Sequence, residues 1–160
     1  MSSEAGLLLD KLRQLNAEVV QLVESISPED WQGQHTGENW TLGIAAHHIA
    51  LGYDYGMSWI ENASSGQPIT TTPNGIDALN AEGVTLYANL SQGEVVARLN
   101  QNLATLEKMV LGLSETGLNR NVLWVTFGRE VNALYLMRTT IRHTTNHLES
   151  LKQALNSQSV

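Results

Sequence analysis

Two histidines stand four residues apart in Ile141-Arg142-His143-Thr144-Thr145-Asn146-His147. On an α-helix that spacing projects both imidazoles from one face, one turn above the other, where they can chelate a single metal ion. A third imidazole, His48, ends the segment Trp40-Thr41-Leu42-Gly43-Ile44-Ala45-Ala46-His47-His48 on a separate predicted helix. Three nitrogen ligands leave a coordination position for water or substrate, the arrangement expected of catalytic metal sites. The chain has no cysteine, so disulfides, thiolate nucleophiles and sulfur ligands are excluded together, and any metal is held by nitrogen and oxygen.

Rotation of about 100° per residue puts His48 on the same side of its helix as Ile44, Leu51, Tyr55 and Trp59, the stripe expected to face the interior. His47 shares a side with Asp54, Ser58 and Glu61 and reads as a solvated surface histidine. On the last helix the apolar stripe is Met137, Ile141, Thr144, Leu148, Leu151 and Leu155, with His143 and His147 along its flank. An isolated His-x-x-x-His pair is more often two partly buried histidines bonded to backbone or water. An inward-facing His48 shifts that balance, because three imidazoles would need several separate partners whereas one divalent ion satisfies a nitrogen on each. No acid sits beside His143 or His147 in the sequence, and Asp54 and Glu149 point away from the ligand face. A proton acceptor is unassigned.

The elements that must position these groups are helical. Leu8, Leu12, Leu15, Val19, Leu22 and Ile26 recur at three- and four-residue intervals and predict an amphipathic helix from about Ser3 to Ile26. Ser27-Pro28-Glu29-Asp30 reads as the start of a short helical turn carrying Trp31, broken by the stretch Gly33 to Gly37. Thr41 can cap a second long helix through about Asn62. Ser64 to Gly75 holds two of the three prolines and reads as a long connection that could act as a lid. A helix is expected from about Ile76 to Asn89. The capping-box pattern Ser91-Gln92-Gly93-Glu94 starts another to about Leu113, with Val95, Leu99, Leu103, Leu106 and Val110 on its buried side. Glu115 to Arg129 is turn-rich around the β-prone run Val122 to Phe127, and the last helix is expected over Glu130 to Asn156. Four long helices without alternating strands imply an all-α, four-helix bundle with short extra helices.

The 160 residues, 42% hydrophobic and 16% charged, fit a single domain over residues 1–160. A net charge of −7 without clustered Lys or Arg argues against a nucleic-acid partner. No stretch approaches the roughly 18 apolar residues that span a bilayer, and Met1 to Ala5 carry no basic start of a leader, so no membrane role and a cytoplasmic location are expected. The glycosylation-like triplets at Asn39, Asn62 and Asn89 then read as coincidence. Trp40, Tyr55, Trp59 and Trp124 are candidates for the walls of a pocket, though such residues are more often core. Val19, Val20, Leu22 and Val23 broaden the apolar surface of the first helix and are compatible with a homodimer.

Trp40-Thr41 at a helix start with His48 eight positions after the Trp, a long middle section, and Gly128-Arg129-Glu130 leading into a helix with His143-x-x-x-His147 resemble the DinB/YfiT-like metalloenzyme superfamily over nearly the whole chain. The resemblance implies a four-helix bundle in up-down-down-up order, a His triad of His48, His143 and His147 with His47 as an extra, a divalent transition metal such as zinc or nickel, and frequent dimerisation. Its members include thiol-dependent S-transferases and a mycothiol-dependent isomerase. The activity implied is metal-assisted transfer or hydrolysis on a small-molecule substrate, with a water or low-molecular-weight thiol as nucleophile. The alternative is a non-catalytic metal-containing module that binds a metabolite or another subunit.

Overall fold

In the computed structural model, which describes residues 3–33 and 35–157, four long helices form the bundle: α1 (Ser3–Ser25), α3 (Leu42–Ser65), α5 (Gln92–Leu111) and α7 (Ala133–Asn156). Between them come α2 (Pro28–Gly33), α4 (Pro73–Leu86), α6 (Glu115–Asn119) and an antiparallel hairpin of β1 (Val122–Trp124) and β2 (Arg129–Val131) around a 3-10 turn at Val125–Phe127. Met1 and Ser2 of the N-terminal stretch, and Gln34 of the Gly33 to Gly37 break, lie outside the described residues.

Cross-helix pairs define the directions. Arg138 pairs with Glu4 and Lys152 with Glu18, so α7 runs parallel to α1. Arg13 pairs with Glu107, and Asn16 donates to Asn100, so α5 is antiparallel to α1. Gly52 lies against His143 and Gly56 against Thr140, which makes α3 antiparallel to α7. The order is up, down, down, up. Because α3 and α5 run the same way, the chain must return along the bundle between them, and α4 is that crossover.

The core takes Leu9, Leu12, Val19 and Val23 from α1, Leu42, Ile49 and Tyr53 from α3, Leu99 and Leu106 from α5, and Leu136, Met137 and Leu151 from α7. Val19 and Val23 are therefore consumed inside the bundle, while Val20 and Leu22 remain half-buried. Tyr53 donates to Asn16 Oδ1 at 3.2 Å, and Asn16 donates onward to Asn100 at 2.9 Å. This chain runs from the buried Tyr53 and Asn16 to the surface at Asn100, and it ties α1 to α3 and α5, since a slip of register would leave the Tyr53 hydroxyl and the Asn16 amide unsatisfied.

Helices α4 and α5 end at Leu86 and Leu111, short of the expected Asn89 and Leu113, and three further boundaries differ from the sequence expectations for a local reason. Helix α4 starts at Pro73 rather than Ile76, because Thr72 accepts from Gly75 N at 3.1 Å and Pro73 takes the first helical position, where a missing N–H is harmless. Helix α7 starts at Ala133 rather than Glu130, because Arg129–Val131 pair with Val122–Trp124 and Asn132 caps the helix by accepting from Tyr135 N at 2.9 Å. Helix α3 runs on to Ser65 and ends at Gly66, whose φ of 83° is open to glycine at little strain. The capping box of Ser91 and Glu94 forms as expected.

Thr41 accepts from Ile44 N at 3.3 Å at the start of α3, seven residues before His48. Thr41→Ala should lower the unfolding free energy by about 1 kcal/mol, read as a lower urea midpoint with unchanged slope, and Thr41→Ser should restore most of it.

Candidate metal centre

His48 from α3 and His143 and His147 from α7 converge, with one ring nitrogen of each within 4.8 Å of the others. His143 Nε2 and His48 Nε2 are 3.0 Å apart, and the three ring centroids are separated by 4.6 to 4.8 Å. Two nitrogens bound about 2.1 Å from a tetrahedral ion lie about 3.4 Å from one another, so the donor set has the dimensions and the chemistry to hold a divalent transition metal. The indole of Trp40 stacks on His147 at 6.0 Å and leans on His48 at 4.9 Å, which limits rotation of both rings.

The helices can deliver these rings because α3 carries no side chain where they meet. A Cβ on Gly52 would lie 2.4 Å from His143 Nδ1, and one on Gly56 would lie 2.5 Å from Thr140 Oγ1. Both glycines are buried in mid-helix, where glycine otherwise weakens a helix. Sequence reasoning overlooked them. Their signal was present as two glycines four residues apart on the helix that carries His48, the spacing that lets two backbones approach.

Burial keeps the imidazoles neutral. Desolvation, with mutual repulsion among the rings, lowers His48 to about 4 and His143 to about 3, and His147 is lowered chiefly by burial against the pull of Glu38. Neutral imidazole is the form that offers a lone pair. His143 Nδ1, packed against Gly52, has no hydrogen-bond partner, which leaves its Nε2 as the nitrogen facing His48.

Two expectations require correction. His47 is not a solvated surface histidine: it is 2% exposed, its ring lies 4.1 Å from that of Tyr87, and its Nε2 is buried without a partner. The first turns of α3, from Leu42 to Ala50, are buried on every side, because Trp31 of α2 lies against Gly43, and the end of α4 with Tyr87 covers His47 on the face that rotation alone assigns to solvent. His47 nevertheless stands outside the three-nitrogen cluster. The second correction concerns acids. Glu38 lies in the turn before Trp40, accepts from Ser150 Oγ at 2.9 Å and couples electrostatically to His147. Burial raises its carboxyl, but hydrogen bonds and the attraction of His147 outweigh that and hold it below its ordinary value. Nothing in the local sequence joins Glu38 to α7. Asp54, which accepts from Asn102 at 2.9 Å, and Glu149, paired with Lys152, stand apart from the cluster as expected.

The imidazoles open onto a cavity of about 280 Å³. Trp40, Tyr55 and Trp59 form part of its wall, but Trp124 stands behind Trp59 at 5.0 Å and donates to Thr71 O at 3.2 Å. The side chains Ile76 and Asn80 that close over it come from α4. The preceding connection, expected as a lid, is tied down: Ile69 is fully buried and exchanges backbone hydrogen bonds with Leu123 and Val125 at 3.0 and 2.9 Å. The stripe Ile44, Leu51, Tyr55 and Trp59 thus faces this cavity and α4, while Ala45, Ile49 and Tyr53 face the bundle core.

Gly52→Ala should displace His143, lower stability by about 1–3 kcal/mol and weaken cobalt(II) uptake at least tenfold, measured by denaturation and by the cobalt absorption spectrum. In chelator, the lowered values of His47, His48 and His143 mean that the unfolded chain takes up protons below its ordinary pKa of about 6.5 that the folded chain refuses. Stability should therefore be flat above about pH 7 and fall as the pH drops from about 6.5 toward 4, seen as a falling urea midpoint. A midpoint that is constant from pH 7 to 5 would contradict the burial of these rings.

The sequence matches the DinB superfamily over residues 11–151. No curated protein is significantly similar to it. Among solved structures, YfiT from Bacillus subtilis, called a probable metal-dependent hydrolase with an unusual four-helix bundle topology, is 12% identical with a TM-score of 0.79, covering 98% of this chain and 89% of that one. A mycothiol-dependent maleylpyruvate isomerase is 18% identical with a TM-score of 0.74 over 94% of this chain, which spans 63% of the isomerase. A protein from Streptococcus pneumoniae is 16% identical with a TM-score of 0.74, covering 100% of this chain and 94% of that one. At these identities the likeness is one of fold. The family match spans the bundle from α1 to α7, and the chain shares the YfiT helix topology: it belongs to the DinB superfamily.

Proposed function

We propose that His48, His143 and His147 hold one divalent transition metal, zinc or nickel, and that the protein is a metal-dependent enzyme acting on a small molecule by hydrolysis or thiol transfer. The observation that carries this reading is three neutral imidazoles, from two helices, gathered within 4.8 Å at the edge of a cavity of about 280 Å³. Three protein nitrogens leave a coordination position that can face that cavity. Of the structural neighbours, one is called a probable metal-dependent hydrolase and another is a mycothiol-dependent isomerase, which supports metal-assisted chemistry with water or a thiol.

A divalent ion in this position supplies Lewis acidity, which makes water or a low-molecular-weight thiol nucleophilic at neutral pH. The rest is done by the chain. Burial keeps the imidazoles unprotonated, Trp40 holds two of the rings in place, and the charge of Glu38 beside His147 favours a cation in the cluster. The aromatic wall removes water from around the reacting atoms, which strengthens every electrostatic contact there. No described helix is long and apolar enough to cross a membrane, and the net charge of −7 supports an enzyme that binds small molecules rather than nucleic acid. Exposed Leu123, Val125 and Phe127 on the hairpin and its turn are in keeping with a homodimer. One observation favours a non-catalytic metal module instead: no Asp or Glu lines the cavity among the described residues.

Elemental analysis of the purified chain should find about one transition metal per chain. His48→Ala and His147→Ala should each lose it, and His47→Ala should keep it. Equal loss in all three variants contradicts the facial arrangement, and no loss in any removes the site. Hydrolytic and thiol-transfer substrates are then screened on loaded and stripped protein, and turnover by neither leaves the module reading.

A further inference from the structure

The cavity beside the imidazoles, at about 280 Å³, lies at the small end of ligand pockets. Trp40, Tyr55, Trp59 and Ile76 give it an aromatic and aliphatic wall, and no Asp, Glu, Lys or Arg lines it among the described residues. Several polar groups of the wall are already engaged within the protein. Thr139 Oγ1 donates to Tyr135 O at 3.2 Å, Thr140 Oγ1 donates to Leu136 O at 3.1 Å, and Trp59 Nε1 donates to Thr71 Oγ1 at 3.0 Å. Asn80 differs from these. It reaches the cavity from α4, and its Oδ1 is buried without a hydrogen-bond partner. A buried amide oxygen is seldom left so, since it has given up water and received nothing in return.

We propose that Asn80 Oδ1 accepts an N–H or O–H from the substrate, and that the cavity selects a compact, uncharged aromatic or branched aliphatic molecule. This rests on the cavity being the substrate site of the function proposed above. A carboxylate, a phosphate or an ammonium among Trp40, Trp59 and Ile76 would lose its hydration and meet no counter-charge. A ring or branched chain buries apolar surface against the indoles, and one donor at Asn80 orients it. Small neutral amides, phenols and alcohols fit this description; sugar phosphates, dicarboxylic acids and zwitterionic peptides do not.

A competing fate for the Asn80 oxygen is visible. His47 Nε2 is also buried without a partner, and His47 and Asn80 both line a void of about 10 Å³ next to the main cavity. That is close to the room one water needs, and a water bridging the two would occupy the oxygen in place of substrate.

The test uses chelator-treated full-length protein, with binding of benzamide, toluene and benzoate followed by quenching of tryptophan fluorescence, in the wild type, Asn80→Leu and Asn80→Ala. Benzamide is expected to bind at least tenfold more tightly than benzoate. Both variants should weaken benzamide about tenfold while binding toluene as well as the wild type does, which also reports that the cavity is intact. Benzoate binding as tightly as benzamide, benzamide unaffected in both variants, or no binding of any probe would each overturn the proposal. Metal content is measured on the same preparations before the chelator is added. A chain that holds no metal but keeps this ranking loses the metal reading alone, and one that holds metal without the ranking loses the substrate class alone.

Discussion

The close approach of α3 and α7 is the contact on which the rest of the molecule depends. At Gly52 and Gly56 there is no room for even a methyl group, with His143 and Thr140 filling the space a Cβ would take. A site built from one imidazole on one helix and two on another needs such proximity, because the side chains are short and must meet without bending either helix. The glycines weaken α3 as an isolated helix. Packing on both of its flanks, and the polar chain through Tyr53, Asn16 and Asn100, offset that within the bundle.

Holding His48 and His143 against each other in this way has an electrostatic consequence. Rings stripped of water resist protonation, so they remain ligands at pH values where exposed histidines would not. The same desolvation withdraws stability from the metal-free chain as the pH falls. Glu38 moderates this at the edge of the cluster, close enough to His147 to oppose the lowering of its pKa and tethered by Ser150. The site and its counter-charge thus come from three separate stretches of chain.

Topology supplies the cover. Two successive core helices that run in the same direction require a returning segment, and α4 meets that need while placing Ile76 and Asn80 over the cavity. Of its residues only Gly83 is fully buried, so fewer contacts anchor α4 than anchor the core helices. The connection before it is held more firmly, because Ile69 is pinned between Leu123 and Val125. The connection and the hairpin are therefore one packed unit, and α4 lies over the open side of the imidazole cluster.

Local rules carried much of this in the sequence. The three-and-four spacing of Leu12, Leu15, Val19 and Ile26, the cap at Thr41, the box at Ser91 and the pairing of His143 with His147 all act over a single turn of helix and are found as read, though on α1 Leu9 and Val23 are fully buried where Leu8 and Leu22 are half-buried. The boundaries of α4 and α7 moved by three residues where a neighbour competed: a Thr-Pro start in one, strand pairing in the other. His47 went astray for a different reason. Helical rotation reports which side a residue takes, but not what lies opposite, and Tyr87 arrives forty residues later to bury it. By itself the sequence determined the long helices, the caps at Thr41 and Ser91 and which imidazoles share a face, because those follow from contacts within a turn or two. The nearness of Gly52 to His143, of Glu38 to His147 and of Asn80 to the cavity was decided only in the tertiary structure, where residues distant along the chain are brought together by packing that no local spacing encodes.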